Sequence, residues 1–391
     1  MERIIKAMEE FVFQIGPIRP PSEANSLLLR VTENCPWNKC KFCMLYKKND
    51  FHTRPVAEVK KDIDTMAEYR DRILAYKDGE DWNMPAVQAD YETLLSDDAR
   101  MCYQMVFRWL TEGDSQAIFL QDANTMVLRP EWLIEIVSYV RERLPEIQRI
   151  TSYGRANTLA KIKEEDFRAL RKAGLDRIHS GYESGSDKVL ELIAKGTTQE
   201  EQIIGGQKVR QAGIELSIYF MPGVGGRELS EDNALETAKV INAVNPNFVR
   251  LRTFVLRTGS LMEEVRASGN YTEATDMEKL LEIRNMIAHI DPSKAKGRIT
   301  SDHIINLLQE VNGDMDTDIP WMLSYIDSFL ALPELERKKY QLARRMGFPL
   351  DWKQMYRLKE SDQTYIADLA KNTVDDAAWE ALLHRFMDRY I

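Results

Sequence analysis

The chain has 391 residues, 44% of them hydrophobic, and a formal net charge of −9. That is enough apolar material for one large core with an appended domain, and the negative balance argues against a broad nucleic-acid-binding surface, which needs clustered Lys and Arg. No run of about 18 apolar residues is present, so no membrane span is expected; residues 1–13 carry Glu2, Glu9 and Glu10 where a signal peptide would be apolar, so a cytoplasmic location is expected.

In chain order, residues 1–23 read as an amphipathic helix (Ile4, Ile5, Met8, Phe11) followed by a lead-in containing Gly16 and Pro21. Residues 27–31 have the length and apolar content of a buried strand, which empties into Cys35, Cys40 and Cys43. Three of four cysteines within nine residues make a metal pattern rather than a disulfide framework. Thiolates suit zinc, copper(I) or iron–sulfur clusters. A structural zinc site normally takes a fourth protein ligand, whereas a cubane cluster is held by three thiolates with one iron open. Spacing alone leaves cluster and zinc level. Cys102, in the helical pattern MCYQMVFRWL, reads as a core residue; as a fourth ligand it would close the site.

After the loop, Arg54-Pro55 opens a helix with Val56, Val59, Ile63 and Met66 on one face. Residues 69–114 read as a polar, helix-rich insertion broken at Gly79 and Pro85, either a lid over substrate or helices packed on the core. The alternation then resumes, with strands over 117–120, 147–153, 175–181, 214–221 and 248–256 and helices between them. Six such units predict an α/β fold, a partial (β/α)6 TIM-like barrel whose site lies at the C-terminal ends of the strands. The organisation expected is 1–25 helix and lead-in, 26–256 barrel with 69–114 inserted, and 257–391 a helical domain. Apolar positions in that last stretch repeat at Met277, Leu280, Ile283 and Ile287, at Ile304, Ile305, Leu307 and Leu308, and at Trp321, Leu323, Ile326 and Leu330. Ser301-Asp302-His303 reads as a cap on the second of these helices rather than a triad, with His303 also able to reach substrate as acid or base.

The strand ending in a three-cysteine loop, with Phe42 before the last cysteine, resembles the radical S-adenosylmethionine (SAM) superfamily. Its usual spacing is Cys-x3-Cys-x2-Cys; the first gap here is one residue longer, as in Elp3-like members. FLQDANTM, IHSGYESGSDKVLELIAKG and MPGVGG are similar, in the same order, to segments of Elp3- and MiaB-type cores. The likeness, to an Elp3-, MiaB- and NifB-like core, spans roughly residues 27–256.

The resemblance implies that Cys35, Cys40 and Cys43 ligate a 4Fe-4S cluster whose open iron takes the amino and carboxylate groups of SAM. Phe42 would lie beside adenine, Asp122 and nearby carbonyls would serve the amino group, Glu183 the ribose hydroxyls, and Ser152 or Arg155 the ribose or carboxylate. Tyr219 and Met221 join the cofactor-binding set, and Arg252 and His303 are the catalytic candidates. Plainer roles stand beside two of these: Glu183 as a helix-dipole residue, and Arg155 as a solvated charge.

The chemistry implied is reductive cleavage of SAM to a 5′-deoxyadenosyl radical that abstracts hydrogen from an unreactive carbon, with a reductant such as ferredoxin or flavodoxin. The sequence shows no second cysteine cluster, preceding cobalamin domain, acetyltransferase or RNA-binding module, so a small molecule or peptide is the expected substrate and nucleic acid an unlikely one. Two other readings stay open: a structural or redox-sensing iron–sulfur protein without SAM turnover, and a zinc-stabilised binding module.

Overall fold

The computed structural model describes residues 12–112 and 116–387; the amphipathic helix expected around Ile4 to Phe11 lies outside them. The main sheet has eight strands: β1 (Leu27–Arg30), β2 (Ala117–Gln121), β3 (Arg149–Tyr153), β4 (Leu175–Glu183), β5 (Glu215–Phe220), β6 (Phe248–Leu251), β7 (Arg298–Thr300) and β8 (Gly313–Asp314). Their order in the sheet is their order in the chain. β1 to β4 pair in parallel, as do β5 to β7, and β8 joins antiparallel. Parallel neighbours need long crossovers, which the intervening helices provide. β2, Ala-Ile-Phe-Leu-Gln, is buried at every position, as a strand covered on both faces should be. The α/β fold with a parallel sheet read from the sequence is therefore present.

The described residues divide into two compact units: one of residues up to 38, 45–180 and 208–216, the other of 39–44, 181–207 and 217 onward. In the first unit, α1 (Val56–Leu74) is followed by a hairpin, Lys77–Asp78 with Asp81–Trp82, turning at Gly79 with φ +60°. Next come α2 (Met84–Glu92) and α3 (Asp97–Thr111), the latter capped by Ser96, whose Oγ accepts from Ala99 N at 3.1 Å. The insertion's aromatic residues pack inward: Tyr69 meets Tyr103 edge-on at 5.6 Å, and Trp82 meets Phe107 at 5.8 Å. α3 lies against α1 and β1, so packed helices, not a lid, describe this stretch. α4 (Pro130–Arg143) packs on α1 and on α5 (Glu164–Ala173). Cys102 on α3 is fully buried, with Sγ 3.4 Å from both the nitrogen and the oxygen of Phe13. Burial pushes its thiol up to about 11, so it is a protonated core residue.

The second unit holds α6 (Asp187–Leu192) and most of α7 (Gln199–Gln211). α8 (Ser230–Val244) packs on α9 (Asp276–Ala288), which begins in a capping box of Thr275 and Glu278. α9 in turn packs on α10 (Ile319–Leu330), and α11 (Glu334–Arg345) packs on α12 (Glu360–Asn372) and α13 (Asp376–Met387) around Leu342, Ile366, Trp379 and Leu383.

The stretch beyond residue 257 is therefore mainly helical but also supplies β7 and β8. The helix expected over 304–308 is absent. Ser301 Oγ donates to Leu308 O at 2.8 Å and Asn306 Nδ2 donates to Leu251 O at 2.9 Å, side-chain bonds that fix a turn instead. No helix among the described residues is long and apolar enough to cross a membrane.

Candidate functional site

In the first unit, β1 leads into the cysteine loop. Asn34 (φ +68°) and Asn38 (φ +48°) turn the chain through the left-handed region, which asparagine tolerates. Asp122, directly after β2 and fully buried, clasps this loop. Its carboxylate accepts from Arg30 Nη2 at 3.0 Å, from Asn34 N at 3.1 Å and from the Tyr46 hydroxyl at 2.7 Å. Asn34 precedes Cys35 and Tyr46 follows Cys43, so one carboxylate pins both ends of the loop. With its oxygens engaged in this way, Asp122 is placed as an anchor of the loop rather than as an open ligand for an amino group.

Within the loop, Asn38 N donates to Cys35 Sγ at 3.4 Å, and Asn38 Nδ2 donates to the Tyr46 carbonyl. Arg155, after β3, is 9% exposed and lays its guanidinium 5.2 Å from the ring centre of Trp37, between the first two cysteines. It is therefore a packed cation, not a solvated one. Ser152 is fully buried on β3, its hydroxyl donating to Tyr153 O at 3.3 Å.

In the second unit, Lys41 N donates to Ile193 O at 2.9 Å, and Phe42 packs with Met221 against Val189, Ile193, Val224 and Phe254. The Lys195 ammonium lies 5.7 Å from the Phe42 ring centre and 2.8 Å from Glu183 Oε1. Glu183 ends β4 with φ +63°, a backbone state that costs a non-glycine residue about 1 kcal/mol or more. The ion pair and a bond from Met221 N to Glu183 O at 2.8 Å hold it there. A Cβ at Gly181 would stand 2.3 Å from Glu183 Oε1, so a side chain there would push the carboxylate aside. Glu183 is thus an ion-paired strand-end residue, not a helix-dipole partner.

The glycine turn after β5 is fastened from below by Glu282. This carboxyl accepts from Gly223 N at 2.9 Å, Ser230 Oγ at 2.6 Å and Asn233 Nδ2 at 2.7 Å. It is almost fully buried, which pushes it up to about 7 despite those donors.

Arg252 and His303 are brought together. The Arg252 guanidinium lies 5.3 Å from the Tyr219 ring centre, and its backbone nitrogen donates to Phe220 O at 2.8 Å. Asn306 Oδ1 accepts from Thr253 N at 3.0 Å and Thr253 Oγ1 at 2.8 Å, stitching the His303 turn to the end of β6. His303 Nδ1 accepts from Ile305 N at 3.4 Å, which assigns the ring proton to Nε2. Burial first, then Arg252 and Arg257, push this imidazole down to about 3. It is neutral at every physiological pH and is a donor at Nε2 rather than an acid. Burial also lowers Arg257, while the Cys43 thiol acts on it in the opposite sense.

None of the four cysteines is in a disulfide. The donor set fits a 4Fe-4S cluster in kind and number: three sulfurs from one clasped loop, with the fourth cysteine tied to Phe13. Among the described residues, however, no three His, Cys, Asp or Glu side chains stand close enough together to hold a metal ion. Sequence reasoning missed Tyr46, Trp37, Lys195, Glu282 and Asn306. Tyr46 closes the motif stretch itself and Lys195 stands next to the last glycine of the ESGS segment, so both were within reach of motif reading. Glu282 and Asn306 gave no local signal.

Residues 29–238, more than half of the chain, match the Radical SAM superfamily. Among curated proteins, the tRNA uridine(34) acetyltransferase of Methanocaldococcus jannaschii is 24% identical over 130 residues, 33% of this chain and 24% of that protein. The enzyme of the same name from Methanocaldococcus infernus is 22% identical over 118 residues, 30% of this chain and 22% of that protein. The chain thus spans about a quarter of the length of these relatives. Among solved structures, an N-terminally truncated Elp3 of Methanocaldococcus infernus aligns with TM-score 0.38 at 18% identity, covering 48% of each chain. Methylornithine synthase aligns with TM-score 0.41 at 13% identity, covering 79% of this chain and 82% of its own. By the match over residues 29–238, the chain belongs to the Radical SAM superfamily.

Proposed function

We propose that the chain is a radical SAM enzyme in which Cys35, Cys40 and Cys43 hold a 4Fe-4S cluster and SAM is cleaved reductively to act on a small-molecule or peptide substrate. The observation that carries this reading is the clasped loop: three thiols presented within nine residues, both ends fixed by Asp122, and the fourth cysteine buried elsewhere. When bound, the cluster and SAM supply a 5′-deoxyadenosyl radical.

The chain's own residues do the positioning. Phe42, packed with Met221, offers an apolar face for adenine. Glu183, oriented by Lys195, offers a carboxylate oxygen to the ribose hydroxyls. Arg155, held on Trp37, offers a cation to the carboxylate, and Ser152 is a further contact on β3. Asp122 is a positioning residue for the loop, and the Glu282-fastened glycine turn sets the floor beside Met221. Tyr219, Arg252 and His303 address the substrate. An electron donor such as ferredoxin or flavodoxin is required.

The relatives named above favour a second reading. Both are tRNA-modifying enzymes by name, so the expectation that nucleic acid is unlikely finds no support in them. The net charge of −9 still favours the small-molecule reading. Reconstituted protein incubated anaerobically with SAM and dithionite tests the proposal. 5′-Deoxyadenosine formation that vanishes in Cys35→Ala, Cys40→Ala and Cys43→Ala is the expected result, and a colourless zinc protein that leaves SAM intact refutes it.

A further inference from the structure

Helices α9, α11 and α13 of the second unit line a cavity of about 390 Å³, room enough for a small molecule. α9 contributes Met277 to its wall, α11 contributes Arg337 and Gln341, and α13 contributes Trp379 and Glu380. Most of the charges around it are already matched. Arg227 Nε lies 2.9 Å from Glu278 Oε2 and Lys338 Nζ lies 2.9 Å from Glu334 Oε1. Asp276 takes Arg345 Nη2 at 2.6 Å and Gln341 Nε2 at 3.5 Å, and Glu273 stands between Lys279 at 3.4 Å and His384 at 3.3 Å.

What remains on the wall is unmatched. The half-buried Glu380 carboxyl makes no hydrogen bond or ion pair with a described residue. Burial, with Asp276 next, pushes it up to about 7, so a cation entering the cavity would find it ready to ionise. Gln341 is 4% exposed, and while its amide nitrogen is engaged by Asp276, its amide oxygen accepts from no described residue. The half-buried Arg337 guanidinium gives Nη1 to Leu330 O at 3.0 Å and forms no ion pair with a described carboxylate. Asp376, the other unpaired acid of the lining, is exposed to solvent. Met277 and the buried Trp379 ring, with Lys338 Nζ 5.4 Å from its centre, give the cavity an apolar side.

We propose that this cavity binds a small zwitterion of the amino-acid class, its ammonium on Glu380 and the Gln341 amide oxygen and its carboxylate on Arg337. An ammonium brings three donors and no acceptor, which suits a carboxylate and an amide oxygen together. A guanidinium takes a carboxylate through two parallel hydrogen bonds. A simple amine would leave Arg337 unmatched, and a simple acid would leave Glu380 unmatched. These residues are separate from the SAM contacts proposed above, so the site stands whether or not SAM is cleaved.

The test is titration calorimetry of L-leucine and L-lysine into the anaerobically reconstituted protein, with putrescine and hexanoate as probes that carry charge of one sign only. At least one amino acid should bind saturably, and both single-sign probes at least about tenfold more weakly. Glu380→Gln and Arg337→Gln should each weaken the amino acid about tenfold, the usual worth of a charge-assisted bond. Arg337→Lys should keep part of the affinity, and exposed Lys239→Gln should match wild type. Ala377→Trp, which changes no charge but fills space in the lining, should also lower affinity about tenfold or more. Thermal unfolding checks that each variant is folded, and SAM affinity by equilibrium dialysis should be unchanged in all of them. Failure of both amino acids to bind wild type, charge variants that bind like wild type, or putrescine binding as tightly as the amino acids overturns the proposal. A parallel fall in SAM affinity also overturns it, because the site would then belong to SAM's own amino and carboxylate groups.

Discussion

Asp122 fastens both ends of the cysteine loop, so the loop's shape depends on a charge outside it in sequence. Asp122→Asn leaves Arg30 beside a buried neutral group and should destabilise the fold by about 3 kcal/mol, the usual cost of breaking a buried pair. Calorimetric unfolding, with iron content measured on the same sample, checks this; an unchanged melting temperature and full iron loading would contradict it. Gly181→Ala should displace Glu183 from Lys195 and lower SAM affinity about tenfold with the fold retained, since a lost charge-assisted bond is worth that much. Equal SAM binding by dialysis would remove Glu183 from the ribose contact. His303 lies below its ordinary value when folded, so the unfolded chain takes up a proton that the folded chain refuses. Its contribution to stability is full above about pH 6.5 and declines as pH falls toward about 3, by about 2 kcal/mol at pH 5. Urea midpoints at about pH 7.5 and pH 5 should converge in His303→Asn; if the gap persists, the imidazole is not the group responsible.

At the scale of elements, strands β1 and β2 were legible because both-face burial leaves near-continuous apolar runs, as in the stretch 117–121, and β5 because apolar and polar residues alternate along 214–221. Helix α9 was legible from the spacing of Met277, Leu280, Ile283 and Ile287, whereas the capping box of Thr275 and Glu278 that starts it went unread in the sequence. The 304–308 segment misled because its apolar residues also repeat at helical spacing, while Asn306 and Ser301 satisfy backbone groups that a helix would have used. Nothing local in sequence announces that Glu282 reaches Gly223 from 59 residues away. Glu282→Ala would leave Gly223 N and Asn233 Nδ2 buried without their acceptor and should destabilise the protein by about 3 kcal/mol. Hydrogen exchange should then rise around residues 221–226. Unchanged exchange there would mean that the turn holds itself.

At the scale of the molecule, the sequential strand order and the family match agree with the α/β fold and the radical SAM resemblance read from the sequence. The substrate was not legible, because no spacing rule in the sequence collects the side chains that would recognise it. Cys102 was legible as core from its helical pattern, and its bonds to Phe13 agree. The most direct measurement of the central claim is iron and labile sulfide in anaerobically reconstituted wild type, Cys102→Ala and the three loop variants, with SAM cleavage followed in each. The account predicts about four iron per chain and 5′-deoxyadenosine in wild type and Cys102→Ala, and neither in Cys35→Ala, Cys40→Ala or Cys43→Ala. Iron and turnover lost with Cys102 but kept in a loop variant would contradict it.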